Sequence, residues 1–212
     1  MQQAITALIL LLVCTVSVAA EQREWRFKVL LDGKEVGSQI YELFQREGHT
    51  ELRTKASFKV KFLFATVYRY LHENTELWDG PCLMSIDSVT DSNGKDFRVS
   101  GSRQDDAFEI RTAKGSSQLP ECVMTFAYWR PDFLKQNKLL NPQDGEYLDV
   151  EVSGPESVDR IVGGEAVASH KYRLVAGELD LQLWYSLTDE WLALESKTNG
   201  NRVLEYELEK NK

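Results

Sequence analysis

Hydrophobic and polar residues alternate one by one along much of this chain, which is typical of β-strands with one buried face. In the clearest case, Leu52, Phe58 and Val60 share one face of a strand, while Arg53 and Lys59 share the other. Similar alternation predicts further strands at residues 25–31, 36–44, 67–78, 83–89, 97–99, 108–110, 148–152, 167–176, 179–185, 191–196 and 203–208. The chain is therefore predicted to be mainly β.

Short turns such as Asp32-Gly33 and Asn199-Gly200 separate most of these strands, so consecutive strands are expected to pair in an antiparallel meander. Residues 131–140 break the pattern: a proline stands first, apolar residues follow at three- and four-residue spacing, and Pro142 ends the run. This spacing predicts one short helix. We expect a single domain over residues 21–212, with a strongly curved sheet or open barrel formed over that helix.

The first twenty residues have the features of a signal peptide. Residues 4–20 are uncharged and mostly apolar, the run closes on small residues, and the first charge is Glu21. We therefore predict a signal peptide over residues 1–20, cleavage after Ala20 and a periplasmic location. Two alternatives remain: an uncleaved membrane anchor, because no basic residue precedes the run, and lipid attachment at Cys14, where the preceding Val13 is large for that processing.

The overall charge argues against one class of partner. The chain has 25 basic and 33 acidic residues, a formal net charge of −8. Nucleic-acid binding depends on basic side chains that neutralise phosphates, so a nucleic-acid partner is not expected. After residue 20 the sequence has no second apolar run long enough to span a membrane.

The cysteine and histidine positions predict a disulfide and no metal site. Without the signal segment, Cys82 and Cys122 remain, and two thiols in an oxidising compartment are expected to pair. Metal binding by these two cysteines is the alternative. His49, His72 and His170 are separate in sequence, so a histidine-rich metal site is not predicted. No cofactor motif is present, and no cofactor is expected.

No motif predicts catalytic residues. Residues 160–166 resemble the activation site of chymotrypsin-like proteases, but too few residues follow to build that fold, so Gly163-Gly164 is interpreted as a turn. His72-Glu73 begins like a zinc-protease motif, yet the second histidine is missing and the segment is a predicted strand rather than a helix. A catalytic site assembled from scattered residues is left open.

One predicted strand has a basic face, made by Arg53, Lys55, Lys59 and Lys61. These residues could bind lipid head groups, another anion or a protein partner. The alternative is a solvated strand face whose charges prevent aggregation.

Aromatic residues are concentrated in the middle and late strands. They either fill the core of the bent sheet or line an apolar cavity for a small ligand or acyl chain. If a cavity exists, we expect its ligand to contact Trp129, Trp184, Tyr185 and Trp191.

An ordered set of short motifs resembles an uncharacterised family of exported bacterial β-proteins, known as domain of unknown function 6134. The motifs lie at residues 27–37, 58–62, 68–72, 76–78, 91–95, 183–185 and 191. Together they cover nearly the whole chain after the signal segment. The resemblance implies a periplasmic, antiparallel, curved-sheet protein and supplies no activity. Where the family pattern has Asp after Trp-Tyr, this chain has Ser186.

Three functional hypotheses follow from these observations. The first is a non-enzymatic periplasmic protein that binds or carries an apolar ligand such as a lipid. The second is an envelope enzyme with no recognisable motif. The third is a scaffold that binds a protein partner through the basic face.

Overall fold

The computed structural model describes residues 22–46, 48–62, 65–198 and 202–209. The predicted signal peptide, its cleavage site after Ala20 and the Asn199-Gly200 turn lie outside the described residues. Within the described ranges, no helix is both long enough and apolar enough to cross a membrane.

Within these ranges, thirteen strands form one large sheet, which is antiparallel as the alternating pattern predicted. Its first half contains β1 (Gln22–Leu31), β2 (Lys34–Arg46), β3 (His49–Phe62), β4 (Ala65–Asp79), β5 (Cys82–Ser92), β6 (Lys95–Arg103), β7 (Ala107–Thr112) and β8 (Gly115–Pro120). Its second half contains β11 (Glu151–Val162), β12 (Glu165–Ala176), β13 (Leu179–Ser186), β14 (Trp191–Lys197) and β15 (Val203–Leu208). A separate two-stranded sheet pairs β9 (Lys138–Leu140) with β10 (Tyr147–Asp149).

The sheet is a meander whose first and last strands lie side by side. β1 pairs with β15, so the strand order runs from β11 through β15 to β1 and on to β8. β8 and β11 are the two edges and do not pair with each other, so the sheet stays open. Residues 121–150, which we call the connector, join these two edges. We call the sheet face that packs against the connector the inner face and the opposite face the outer face.

The connector contains the one helical element of the described chain, and it differs from the prediction. A 3₁₀ helix covers only Pro131–Lys135, and Gln136 has extended backbone angles, φ −84° and ψ 149°. Leu139 and Leu140 then pair with β10, and the Leu140 amide donates to the Met124 carbonyl at 2.8 Å. The apolar spacing that predicted a helix over residues 131–140 therefore came from two short elements that both bury their apolar side chains.

Three strands also differ from the prediction. Residues 148–152 form no continuous strand. The strand is interrupted at Val150, whose amide donates to the Asn137 carbonyl at 2.9 Å. β8 and most of β11 were not predicted. Both are edge strands with exposed polar residues on both faces, so their sequences show no alternation.

The connector is the centre of the hydrophobic core. Phe133, Leu139 and Leu140 are fully buried in it, and Val123 and Phe126 are buried beside them. The same cluster contains sheet residues from both halves of the meander, including Trp25, Phe27, Trp78, Leu83, Phe108, Leu174, Leu183, Tyr185 and Trp191. Burying each large apolar side chain contributes roughly 1.5–3 kcal/mol. The connector thus covers part of the apolar inner face that an open sheet must bury.

The predicted disulfide is confirmed. Cys82 at the start of β5 and Cys122 at the start of the connector form a disulfide across 40 residues of sequence. Next to it, the Leu83 amide donates to the Val123 carbonyl at 3.0 Å. Together, these two links hold the first residues of the connector against the sheet.

We expect loss of the disulfide to lower stability without changing the fold. Closing a loop of this length stabilises a protein by about 4 kcal/mol through the entropy of the unfolded chain. A Cys82→Ser, Cys122→Ser double variant should therefore unfold at lower urea concentration, with a similar circular dichroism spectrum. Adding reductant should destabilise the native protein and leave the variant unaffected. Equal stability of the oxidised and reduced native protein would contradict this prediction.

Candidate functional site

The connector leaves part of the inner face uncovered, and a cavity of about 710 Å³ lies there. Residues of β1 to β4, β13 to β15 and the connector line it. This volume falls in the range of small-molecule sites, roughly 300–1,000 Å³. The cavity has three parts that differ in chemistry: an aromatic wall, a mouth and a polar floor.

Aromatic side chains form most of the wall. Phe58 stacks on Tyr70 with ring centroids 5.2 Å apart and meets Tyr206 edge-on at 6.1 Å. Farther along the wall, the ring of Trp191 lies 5.0 Å from Tyr41 and 5.3 Å from Tyr128. In the strand register, Phe58 pairs with Tyr70 and Leu194 pairs with Tyr206, and both pairs lie on the inner face. These rings therefore share one surface.

The mouth lies near the last residues of β1, β3 and β14 and the first residues of β2, β4 and β15. Val67 and Tyr68 line it and are unusually exposed for such side chains, at 51% and 37%. Arg202 also lines the mouth, and its guanidinium donates to the Asp32 carboxylate at 2.7 Å. The mouth is therefore apolar, with one cation paired at its edge.

Polar side chains line the cavity at its floor: Gln39, Thr54, His72, Asn74 and Glu76. Their positions follow from alternation along the strands, since Thr54 faces Asn74 and Gln39 faces Ala56 across the register. All five are buried, with Glu76 only 1% exposed. Buried polar groups are costly without partners, so their hydrogen bonds decide what the floor can bind.

Glu76 accepts three hydrogen bonds from the protein. Asn74 Nδ2 donates to Oε1 at 2.9 Å, and Trp78 Nε1 and Thr125 Oγ1 donate to Oε2 at 3.0 and 3.3 Å. Burial nonetheless raises the pKa of the Glu76 carboxyl to about 7, with these hydrogen bonds opposing the shift. Glu76 therefore changes charge near neutral pH.

His72 is also buried, but its hydrogen bonds differ from those of Glu76 and its ring is neutral near neutral pH. Its Nδ1 lies 2.8 Å from Thr90 Oγ1, and Thr90 in turn donates to the Gln143 carbonyl at 3.3 Å. Because the Thr90 proton is used toward Gln143, this network assigns Nδ1 of His72 as the donor. Burial lowers the pKa of the His72 ring to about 4.

The tyrosines of the wall also stay neutral. Burial raises the pKa values of Tyr41, Tyr70, Tyr128 and Tyr206 above the ordinary value for a phenol. The charge of Glu76 adds to the shift at Tyr41, which places that ring within its electrostatic reach. Among the described lining residues, Glu76 is therefore the one group inside the mouth that is charged near neutral pH.

The structure separates the four aromatic residues predicted to contact a ligand. Trp191 lines the cavity. Tyr185 is in the core beside it, where its hydroxyl donates to the Tyr128 carbonyl at 2.8 Å, and Trp129 packs edge-on against Trp78. Trp184 belongs to a separate small cluster, with the Arg160 guanidinium 4.4 Å from its ring.

The predicted basic face lies away from the cavity. Arg53, Lys55, Lys59 and Lys61 are exposed on the outer face of β3, while the cavity lies on the inner face. Arg53 donates to the neighbouring Glu51 at 2.6 Å. Lys55, Lys59 and Lys61 thus form a solvated strip on one strand.

The polar floor was not predicted, although the sequence contained a signal for it. His72, Asn74 and Glu76 alternate with exposed or partly exposed residues and share their face with Tyr70 and Trp78. Large aromatic residues on the same face indicate that this face is buried. Three polar residues in line on that face therefore indicated a buried polar site. In the described part of the chain, no group of three or more potential ligands could hold a metal ion.

The structure thus places this protein in the class of open antiparallel β-sheet proteins, with a curved sheet and a cavity on its inner face. The chain belongs to the family described as Domain of unknown function (DUF6134), whose family model matches residues 27–209. Its fold is similar to a solved structure described as a β-barrel-like protein of domain of unknown function DUF1849 from Brucella abortus, with a TM-score of 0.61. That alignment covers 92% of this chain and 98% of the other at 10% identity, and so shows the fold alone. No curated protein matches the sequence.

We expect Glu76 and His72 to change stability with pH in opposite directions. Glu76 titrates near 4.5 when unfolded and about 7 when folded, so the folded state binds more protons between these values and rising pH destabilises it. His72 titrates near 6.5 unfolded and about 4 folded, so rising pH stabilises the folded state over that range. Urea unfolding at several pH values should separate the two contributions.

The measurement compares each variant with the native protein. The stability advantage of the native protein over Glu76→Gln should fall by up to about 3 kcal/mol as pH rises through this range. Its advantage over His72→Gln should instead rise with pH. Curves that stay parallel to the native curve in both variants would show that neither group has a shifted pKa.

Proposed function

We propose that this protein binds or carries an apolar ligand, such as a lipid, in the cavity on the inner face of its sheet. The observation that supports this function best is the cavity itself, about 710 Å³ in volume and lined mainly by aromatic and aliphatic side chains. A sheet that only packed its core would bring the connector down over this surface as well. Apolar surface that the fold leaves uncovered favours an apolar ligand.

The apolar mouth supports the same function. Exposed Val67 and Tyr68 stand at the entrance, where an entering apolar chain would contact them before it reached Phe58 and Tyr206. Exposed hydrophobic side chains at the rim of a cavity are typical of ligand entrances.

We also propose that the protein acts in the periplasm. The uncharged run over residues 4–20 has the features of a signal peptide, and the Cys82–Cys122 disulfide fits an oxidising compartment. Among the described residues, no comparable observation favours the envelope-enzyme or scaffold hypotheses.

A substitution that fills the cavity should block binding. Ser196 lines the cavity on β14, so Ser196→Trp would place a large ring inside it. We expect the neutral dye N-phenyl-1-naphthylamine to fluoresce strongly with the native protein and to bind at least about tenfold more weakly, roughly 1.4 kcal/mol, to this variant. Fluorescence titration measures the difference.

Ser100→Trp is the matched control, because Ser100 is exposed on β6 and does not line the cavity. It adds the same fluorophore and should leave dye binding unchanged. Equal binding by both variants, at matching thermal stability, would contradict a ligand site in this cavity.

Export can be tested at the N-terminus. When the full chain is expressed in a bacterium, the mature protein should be recovered from the periplasm with Glu21 as its first residue. Ala20→Arg should prevent cleavage, because signal peptidase needs a small residue there. Intact-mass measurement distinguishes the two products. A native protein that keeps Met1 and stays in the membrane fraction would support the anchor instead.

A further inference from the structure

The floor of the cavity has an unbalanced charge. Buried carboxylates are normally paired with a cation, because an isolated charge is costly to bury. Within the described residues, Glu76 has three neutral hydrogen-bond donors and no cationic partner. Among the described lining residues, the permanent cation is Arg202, which is at the mouth and pairs with Asp32.

The floor also has an acceptor without a partner. Asn74 is 5% exposed, and its amide nitrogen is used toward Glu76. Its carbonyl oxygen Oδ1 accepts no hydrogen bond within the described chain. A buried acceptor without a donor costs free energy, and a donor supplied by a ligand would remove that cost. Glu76 and Asn74 line the same cavity, so one group could contact both.

Aromatic rings lie on the same sheet face as these acceptors, two strands away from Asn74. Tyr41 packs edge-on against Trp191 with centroids 5.0 Å apart, and both line the cavity. Tyr41 faces Thr54 across the register, and Thr54 faces Asn74. Aromatic faces attract cations through their quadrupole, most strongly where water is excluded.

These features discriminate among ligand head groups. A carboxylate or phosphate at the floor would face Glu76 with no cation to balance it. A hydroxyl could donate to Asn74 Oδ1 but would leave the charge of Glu76 unbalanced. A protonated amine can donate to both and balance that charge.

We propose that the cavity binds an amphiphilic amine, with its ammonium group at the floor against Glu76 and Asn74 and its apolar body toward the mouth. This inference rests on the proposed function and specifies the class of ligand. It assigns Glu76 as the residue that selects the head group. Trp191, Tyr41 and the wall around Phe58 contact the rest of the ligand.

Three ligands with the same chain and different head groups test the proposal: decylamine, decanol and decanoate. Calorimetric titration at about pH 8 keeps the amine protonated, since an alkyl ammonium has a pKa of about 10.4. We expect decylamine to bind at least about tenfold tighter than decanol, the factor that corresponds to one good charge-assisted contact. Decanoate should bind most weakly.

Two variants connect the preference to one carboxyl group. Glu76→Gln keeps the shape of the side chain and should remove the preference for decylamine while decanol binding persists, which also shows that the variant is folded. Glu73→Gln is the matched control, because Glu73 is an exposed carboxylate on the same strand but on the outer face. It should keep the full preference.

The outcomes separate this inference from the proposed function. Decanol that binds as tightly as decylamine to the native protein, or a preference that persists in Glu76→Gln, would overturn the inference alone. A failure of all three compounds to bind would overturn the proposed function and the inference with it.

Discussion

The fold depends on the contact between the connector and the inner face of the sheet. An open sheet of thirteen strands has one large apolar face, and in the described chain the cover comes from the connector with its small β9–β10 sheet rather than from a second large sheet. Phe133, Leu139 and Leu140 supply that cover from the segment between the two edge strands. Because the connector reaches only part of the inner face, the same contact that builds the core also defines the limits of the cavity.

The connector also organises the polar floor. Thr125 donates to Glu76, and the Gln143 carbonyl accepts from Thr90, which holds His72. The floor thus lies at the boundary between the packed and the open parts of the inner face, where backbone and side-chain groups of the connector can satisfy buried polar residues. The pKa of the buried Glu76 carboxyl is near 7 because the effect of burial exceeds that of the three hydrogen bonds, which favour its charged form.

Prediction from the sequence succeeded where one residue type dominates each strand face. β3 was predicted because its apolar and basic residues alternate strictly, and every interior strand of the meander had some such pattern. β8 and β11 were missed because an edge strand exposed on both faces has no reason to alternate. For the site, Trp191 lines the cavity, whereas Trp184 has its ring on the other side of the sheet, beside Arg160.

The sequence by itself determined the antiparallel pairing of most consecutive strands, the family and the pairing of Cys82 with Cys122. These properties depend on local alternation, short turns and motifs that are read along the chain. Only the tertiary structure decided which part of the inner face the connector covers and that Glu76 lies at the floor of a cavity. Both depend on contacts between residues far apart in sequence, such as Thr125 with Glu76. Local sequence patterns contain no information about which distant residues come into contact.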